Sequence, residues 1–179
     1  MTAIDPPTPD EYDAGYAGYV ARVPAGADLF EILAGQLEST TARLGEVPEP
    51  RAGYRYAPKK WSVKEVVLHL TDTERIMAYR ALRIARGDET PLAGFDENAY
   101  VPRSGADAQP LAALIGGWAD VRRATLSLLR QLPAEAWPRR GVVNGKPMSV
   151  RALGWIIAGH ERHHLEVLGA RYGLWPVSG

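Results

Sequence analysis

Apolar residues recur along this chain at intervals of three and four, in four long blocks separated by Pro- and Gly-containing stretches. The first block follows Asp28, which can cap free backbone N–H groups, with Glu31 at the capping-box position. Leu29, Ile32, Leu33, Gln36, Leu37 and Leu44 form its stripe, and Gly45 and Pro48 end it. The second block has the clearest start signal. Ser62 is placed as N-cap, Glu65 completes the capping box, and Trp61 precedes the cap where it can pack on Val66. Its stripe is Val63, Val66, Val67, Leu70, Met77, Ala81 and Ile84, running to Arg86 with Gly87 as the stop. Pro110 fits the first position of the third helix, striped by Leu111, Leu114, Ile115, Trp118, Val121, Thr125, Leu128 and Leu129 and followed by Pro133. Ser149 can cap the fourth, which extends to about Tyr172 before Gly173.

The connections carry breakers. Residues 1–27 are rich in Pro, Gly, Ala and Tyr, and residues 1–10 are expected to be poorly ordered. Tyr12, Tyr16 and Tyr19 recur at helical spacing, so a short helix packed on the body is expected there, stopping near Val23-Pro24. Residues 45–60 read as a loop containing Tyr54 and Tyr56. Residues 88–109 form a long connection, either a cover over a site, with Phe95, Asp96 and Tyr100 as contacts, or a surface crossover. Pro138 to Pro147 reads as a turn or small hairpin around Asn144-Gly145. Strand signals are almost absent. The pattern predicts an all-α chain, most simply a four-helix bundle with a long crossover connection, in one domain spanning residues 1–179.

Composition narrows the chemistry. Among 179 residues there is no cysteine, so the chain has no disulfide, thiolate ligand or cysteine nucleophile. Any thiol chemistry needs a thiol from outside. Lys plus Arg and Asp plus Glu both number 21, which argues against a dedicated nucleic-acid binder. No apolar run reaches the roughly 18 residues of a membrane span, and the N-terminus lacks the basic and apolar regions of a signal peptide. The expected setting is soluble and cytoplasmic, without membrane or nucleic-acid partners.

Three of the four histidines lie within Gly159-His160-Glu161-Arg162-His163-His164. At 100° per residue, His160 and His164 fall about 60° and 20° from Ile157, on the inward face, while His163 falls about 120° away, toward the outer edge. Imidazoles at i and i+4 can supply two ligands to one metal, and three are typical of an open catalytic site. His69, about 60° from Val66 at the edge of the second stripe, is the remaining histidine. Its next turn adds Asp72 and Thr73. Inward histidines are often core residues with one hydrogen bond each, but three of them must each find a polar partner, and a shared metal supplies all three. The economical assignment joins His69, His160 and His164 across the second and fourth helices. Asp72 could orient a histidine ligand, and Asp72, Glu74 and Glu161 are available as general bases.

Two motifs, Trp61-Ser62-Val63-Lys64-Glu65-Val66-Val67-Leu68-His69-Leu70-Thr71-Asp72-Thr73-Glu74 and His160-Glu161-Arg162-His163-His164-Leu165, resemble the DinB/YfiT superfamily of metal-binding four-helix proteins. The likeness extends to Tyr16–Leu44 and to the Asn144–Ser149 turn. It implies a metal on His69, His160 and His164, the three residues that the helical wheel selects. It also implies a homodimer and a small-molecule substrate. Relatives include S-transferases and isomerases that use low-molecular-weight thiols, and others labelled metal-dependent hydrolases. The resemblance therefore implies a metal-dependent S-transferase joining a thiol to an electrophile. The alternatives are a hydrolase of an amide or ester and a non-catalytic metal-binding stress protein. Catalytic candidates are Asp72 and Glu161, and pocket candidates are Tyr56, Phe95 and Tyr100. Zinc is the first expectation for the metal and nickel the second.

Overall fold

Helix starts in this protein are fixed by side chains that accept hydrogen bonds from otherwise unpaired backbone N–H groups. The computed structural model describes residues 4–176. After 3₁₀ turns at Pro9–Glu11 and Ala14–Tyr16 come α1 (Ala17–Val20), α2 (Leu29–Gly45), α3 (Glu49–Ala52), α4 (Val63–Ala85), α5 (Glu97–Tyr100) and α6 (Leu111–Arg130). The chain closes with β1 (Arg140–Val143), β2 (Lys146–Ser149) and α7 (Val150–Ala170). Asp28 caps α2 through Phe30 and Glu31 N–H, at 2.7 and 3.1 Å. The capping box at Ser62 is complete: Ser62 Oγ accepts from Glu65 N–H at 3.0 Å, and the Glu65 carboxylate accepts from Ser62 N–H at 2.8 Å. Ser149 caps α7 through Ala152 N–H at 3.0 Å.

The four predicted helices are α2, α4, α6 and α7, and all seven residues of the α4 stripe are buried. They form an all-α four-helix bundle whose order around the ring differs from chain order. α4 packs on α6 and α7, and α2 packs on the same two. The ring is therefore α2–α6–α4–α7, with α2 diagonal to α4. Long connections make this possible, because an antiparallel neighbour needs only a short loop.

Several local expectations change. Pro110 is the N-cap of α6, not its first helical residue. The 45–60 stretch contains the turn α3. Of the N-terminal ten residues, 1–3 lie outside the described residues, whereas Pro7 is buried and Asp10 holds Arg140 at 2.8 Å. Buried Glu11 next to them pairs with Arg151 of α7, its Oε2 accepting from Nε–H at 2.7 Å. The tyrosine segment is shorter than a helix over all three tyrosines, with α1 alone α-helical, and it packs on α7 as expected. The hairpin forms around Asn144 and Gly145, both at positive φ (50° and 73°), the geometry a two-residue turn between twisted strands requires. Leu92 from the long connection adds to its edge through hydrogen bonds with Val142 and Asn144, at 2.8 and 2.9 Å. Among the described residues, no helix is long and apolar enough to cross a membrane.

Candidate metal centre

His69 sits in the second turn of α4, and His160 and His164 lie one turn apart on α7, so the α4–α7 contact brings them together. His160 Nε2 lies 3.0 Å from His69 Nε2 and 3.0 Å from His164 Nε2. One ligand nitrogen from each residue lies within 4.8 Å of the others. A neutral imidazole nitrogen carries one proton or one lone pair, so His160 Nε2 cannot satisfy two facing nitrogens with good geometry. A cation among the three can. Tetrahedral zinc at 2.0–2.1 Å would separate its nitrogens by roughly 3.3 Å, close to the observed spacing. The donor set therefore fits a divalent ion such as zinc or nickel.

Burial favours the neutral, ligating form. His69 and His160 are buried and His164 is partly so. Desolvation lowers His69 to about 4, with the neighbouring His163 adding to the shift. The same desolvation, reinforced by the other imidazoles, holds His160 and His164 well below the usual histidine range. Behind His69, its Nδ1 faces Thr73 Oγ1 at 3.4 Å. A proton on Nδ1 directed at that hydroxyl leaves the Nε2 lone pair for a metal.

The three imidazoles line one end of a cavity of about 400 Å³. Tyr19 from α1 packs edge-on against His160, centroids 5.2 Å apart, and Trp61 lies 4.8 Å from His69 and is stacked at 6.4 Å from His164. Gly159 permits this closeness, since a Cβ there would lie 1.9 Å from the Tyr19 carbonyl oxygen. Phe95 and Glu97 from the long connection and Asn144 and Lys146 from the hairpin close the cavity's other side.

The other sequence candidates scatter. Phe95 lines the cavity. Tyr100 is exposed and packs on Phe95 at 5.6 Å without reaching it. Tyr56 lines a neighbouring hollow of about 300 Å³ that shares Trp61 and His164, and it packs on Tyr172. Asp96 caps α5 through Asn98 N–H at 2.9 Å instead of facing the cavity. Asp72 pairs with Arg75 at 3.2 Å and lines a groove elsewhere, so Thr73 holds the place by His69 that the sequence pattern suggested for Asp72. Glu161 does not line this cavity and instead joins a buried junction. There Arg122 binds Glu74 through two hydrogen bonds of 2.8 and 2.9 Å, and its Nη2 lies 2.7 Å from Glu161 Oε2. Thr40 donates to Glu161, and Gln36 Oε1 accepts from Arg122 at 3.3 Å. Burial pushes the Glu161 carboxyl up in spite of Arg122.

Sequence reasoning missed Arg122 and Arg80, and took Glu74 as an available base and not as a buried ion-pair partner, though each stands on an apolar stripe. Arg122 is four after Trp118, Glu74 four after Leu70, and Arg80 four before Ile84. A charged residue at a core position was the available signal. Tyr16, Tyr19 and the hairpin residues are brought to the cavity by tertiary packing that spacing does not encode.

A family model described as the DinB superfamily matches residues 32–168, well over half of the chain. A protein of Oceanobacillus iheyensis named "Putative metal-dependent hydrolase" is 28% identical over 137 residues, covering 73% of this chain and 78% of that protein. Among solved structures, YfiT from Bacillus subtilis, "a probable metal-dependent hydrolase with an unusual four-helix bundle topology", aligns with a TM-score of 0.69 at 19% identity. That alignment covers 86% of this chain and 94% of YfiT.

Proposed function

We propose that this chain, which belongs to the DinB superfamily, is a metal-dependent enzyme acting on a small molecule, with His69, His160 and His164 as the metal ligands. Zinc is the expected ion and nickel the alternative. When bound, the ion supplies Lewis acidity, lowering the pKa of a thiol or of water at neutral pH.

Our preferred reaction is S-transfer from a low-molecular-weight thiol to an electrophile. One observation carries that preference: none of the carboxylates Asp72, Glu74 and Glu161, which share helices with the three histidines, lines their cavity, and of the two acidic residues that do, Asp13 and Glu97, Asp13 is already held by Gly15 N–H. Hydrolysis asks for a general base beside the attacking water, whereas a thiolate attacks without one. The chain's own parts in S-transfer are to hold the imidazoles neutral, to shield the site with Tyr19 and Trp61, and to give the electrophile an apolar wall. A sulfur–carbon bond forms, the bond to the leaving group breaks, and the thiol proton passes to solvent. The second reading is hydrolysis, favoured by Glu97, whose residue lines the cavity, and by the names of the similar proteins.

The test starts with metal content, comparing untagged protein with its His164→Ala variant by elemental mass spectrometry after incubation with zinc. We expect about one ion per chain in the parent and a loss of most of it in the variant. Zinc-loaded protein is then assayed with glutathione and chlorodinitrobenzene, and separately with p-nitrophenyl acetate without thiol. Thiol-dependent chloride release supports S-transfer. Ester turnover without thiol would replace it with hydrolysis, and absence of metal in both proteins would remove the centre itself.

A further inference from the structure

At the cavity wall stands a cation that the reading above leaves unused. Arg80, on α4, is 3% exposed and lines the same cavity as the three histidines. Among the described residues no carboxylate forms an ion pair with it, and its hydrogen-bond partners are neutral. Nη2–H donates to the Ala93 carbonyl at 2.8 Å, and Nη1–H points at the Met77 sulfur at 3.5 Å. The Phe95 ring covers the guanidinium at 5.6 Å, and the Tyr16 phenol lies beside it. The two acidic residues that reach the cavity do not pair with it: the Asp13 carboxylate accepts from Gly15 N–H at 2.8 Å, and no ion pair joins Glu97 to Arg80 among the described residues.

A buried guanidinium normally has an anion. Elsewhere in this protein that rule is followed, since buried Arg122 holds Glu74 and Glu161. Arg80 has only neutral partners, and burial lowers its pKa. A guanidinium has five N–H donors, and the Ala93 carbonyl, the Met77 thioether and the Tyr16 phenol oxygen, all neutral, do not occupy all of them. The missing charge is then on the ligand. We propose that Arg80 is the anchor for a carboxylate on the small molecule that occupies this cavity, one that sets the apolar remainder of the molecule toward the three histidines.

Charge and shape select the ligand class. One buried positive charge balances one negative charge, which favours a carboxylate over a phosphate dianion. The only other cation lining the cavity besides the histidines, among the described residues, is Lys146, which is exposed. Apolar walls from Tyr16, Trp61, Phe95, Val143 and Ile156 suit an aromatic or branched body. This proposal deepens the functional reading by naming the substrate class and rests on its cavity, but it does not need the metal.

The test uses benzoate and its neutral counterpart benzamide, titrated calorimetrically into protein stripped of metal by chelation. Benzoate is expected to bind at least about tenfold tighter than benzamide, the factor a charge-assisted pair supplies. Arg80→Gln should remove that preference, Arg80→Lys should keep part of it, and Arg123→Gln, at an exposed arginine outside the cavity, should leave it intact. Equal binding of the two probes by the parent overturns the proposal, whatever the variants do. So does binding of neither, binding of benzoate only after zinc is added, or a preference for inorganic phosphate. If the zinc titrations of parent and His164→Ala reveal no metal site while the benzoate preference survives, the metal reading falls and the anchor stands. Should Arg80→Gln fail to fold, the probe contrast on the parent and Arg80→Lys still decide.

Discussion

Replacing Gly159 with alanine tests how tightly the tyrosine segment is pressed against α7, the helix of His160 and His164. The added Cβ would lie 1.9 Å from the Tyr19 carbonyl oxygen and 2.5 Å from its carbon. Both atoms are backbone, so no rotamer change relieves the clash, and α1 must move off α7 by more than about 1 Å. Overpacking of this kind costs about 1–3 kcal/mol, while alanine in place of a mid-helix glycine returns about 1 kcal/mol of propensity. Gly116, in the exposed face of α6, has room for a methyl group, with nothing within 4 Å of where its Cβ would lie, and supplies the control. Gly116→Ala should stabilise by about 0.5–1 kcal/mol. Propensity cancels between the two variants, so their difference isolates the clash, about 1–3 kcal/mol or roughly 3–10 °C in Tm at this length. The assay is urea and thermal unfolding of parent and both variants without metal. If Gly159→Ala shifts the midpoint upward by as much as Gly116→Ala, the close approach of Tyr19 is refuted. Zinc titration adds a second readout, because displacing Tyr19 uncovers His160: affinity should fall in Gly159→Ala and hold in Gly116→Ala.

Metal-free protein should lose stability on mild acidification. His69, at about 4, and the other two lowered histidines stay neutral in the fold, while the unfolded chain protonates them as pH drops through 6.5. Their contribution is complete above pH 6.5 and is lost as pH falls toward 4, by up to about 1.4 kcal/mol per pH unit for each histidine. Glu161, with its carboxyl pushed up, acts with the opposite sign as one group against three, so urea midpoints equal at pH 7.5 and 5.5 would contradict the burial of these imidazoles. Arg122→Met should cost about 3–5 kcal/mol, roughly 10–15 °C in Tm, by leaving Glu74 and Glu161 buried without their cation. A loss under about 1 kcal/mol by thermal unfolding would show that the junction is hydrated.

Much of this was legible in the sequence for local reasons. Helix caps depend on neighbours in the chain, so Asp28, Ser62 and Ser149 could be identified from spacing alone. The ring order could not, because a stripe shows that a face is buried and not which helix covers it. The histidine set was legible because i and i+4 share a face and His69 borders a stripe. Asp72 shows where chemistry misled geometry. On the wheel Thr73 stands about 20° from Val66 and Asp72 about 120° from it. The carboxylate was preferred for its chemistry, and the angle favoured the threonine that in fact faces His69.

Arg122 touches every long helix of the bundle: the Leu33 carbonyl and Gln36 on α2, Glu74 on α4 and Glu161 on α7, from its own place on α6. Apolar stripes tolerate sliding, since one leucine can take another's place. A helix displaced by one turn moves about 5.4 Å along its axis, which would carry its share of this junction out of hydrogen-bond reach. Slipped registers, and ring orders that separate α2 from α6 or α4 from α6, would each strand a buried charge. Thus the single arginine penalises the wrong assemblies more than it strengthens the right one, and it does so beneath the imidazoles whose alignment depends on the register it selects.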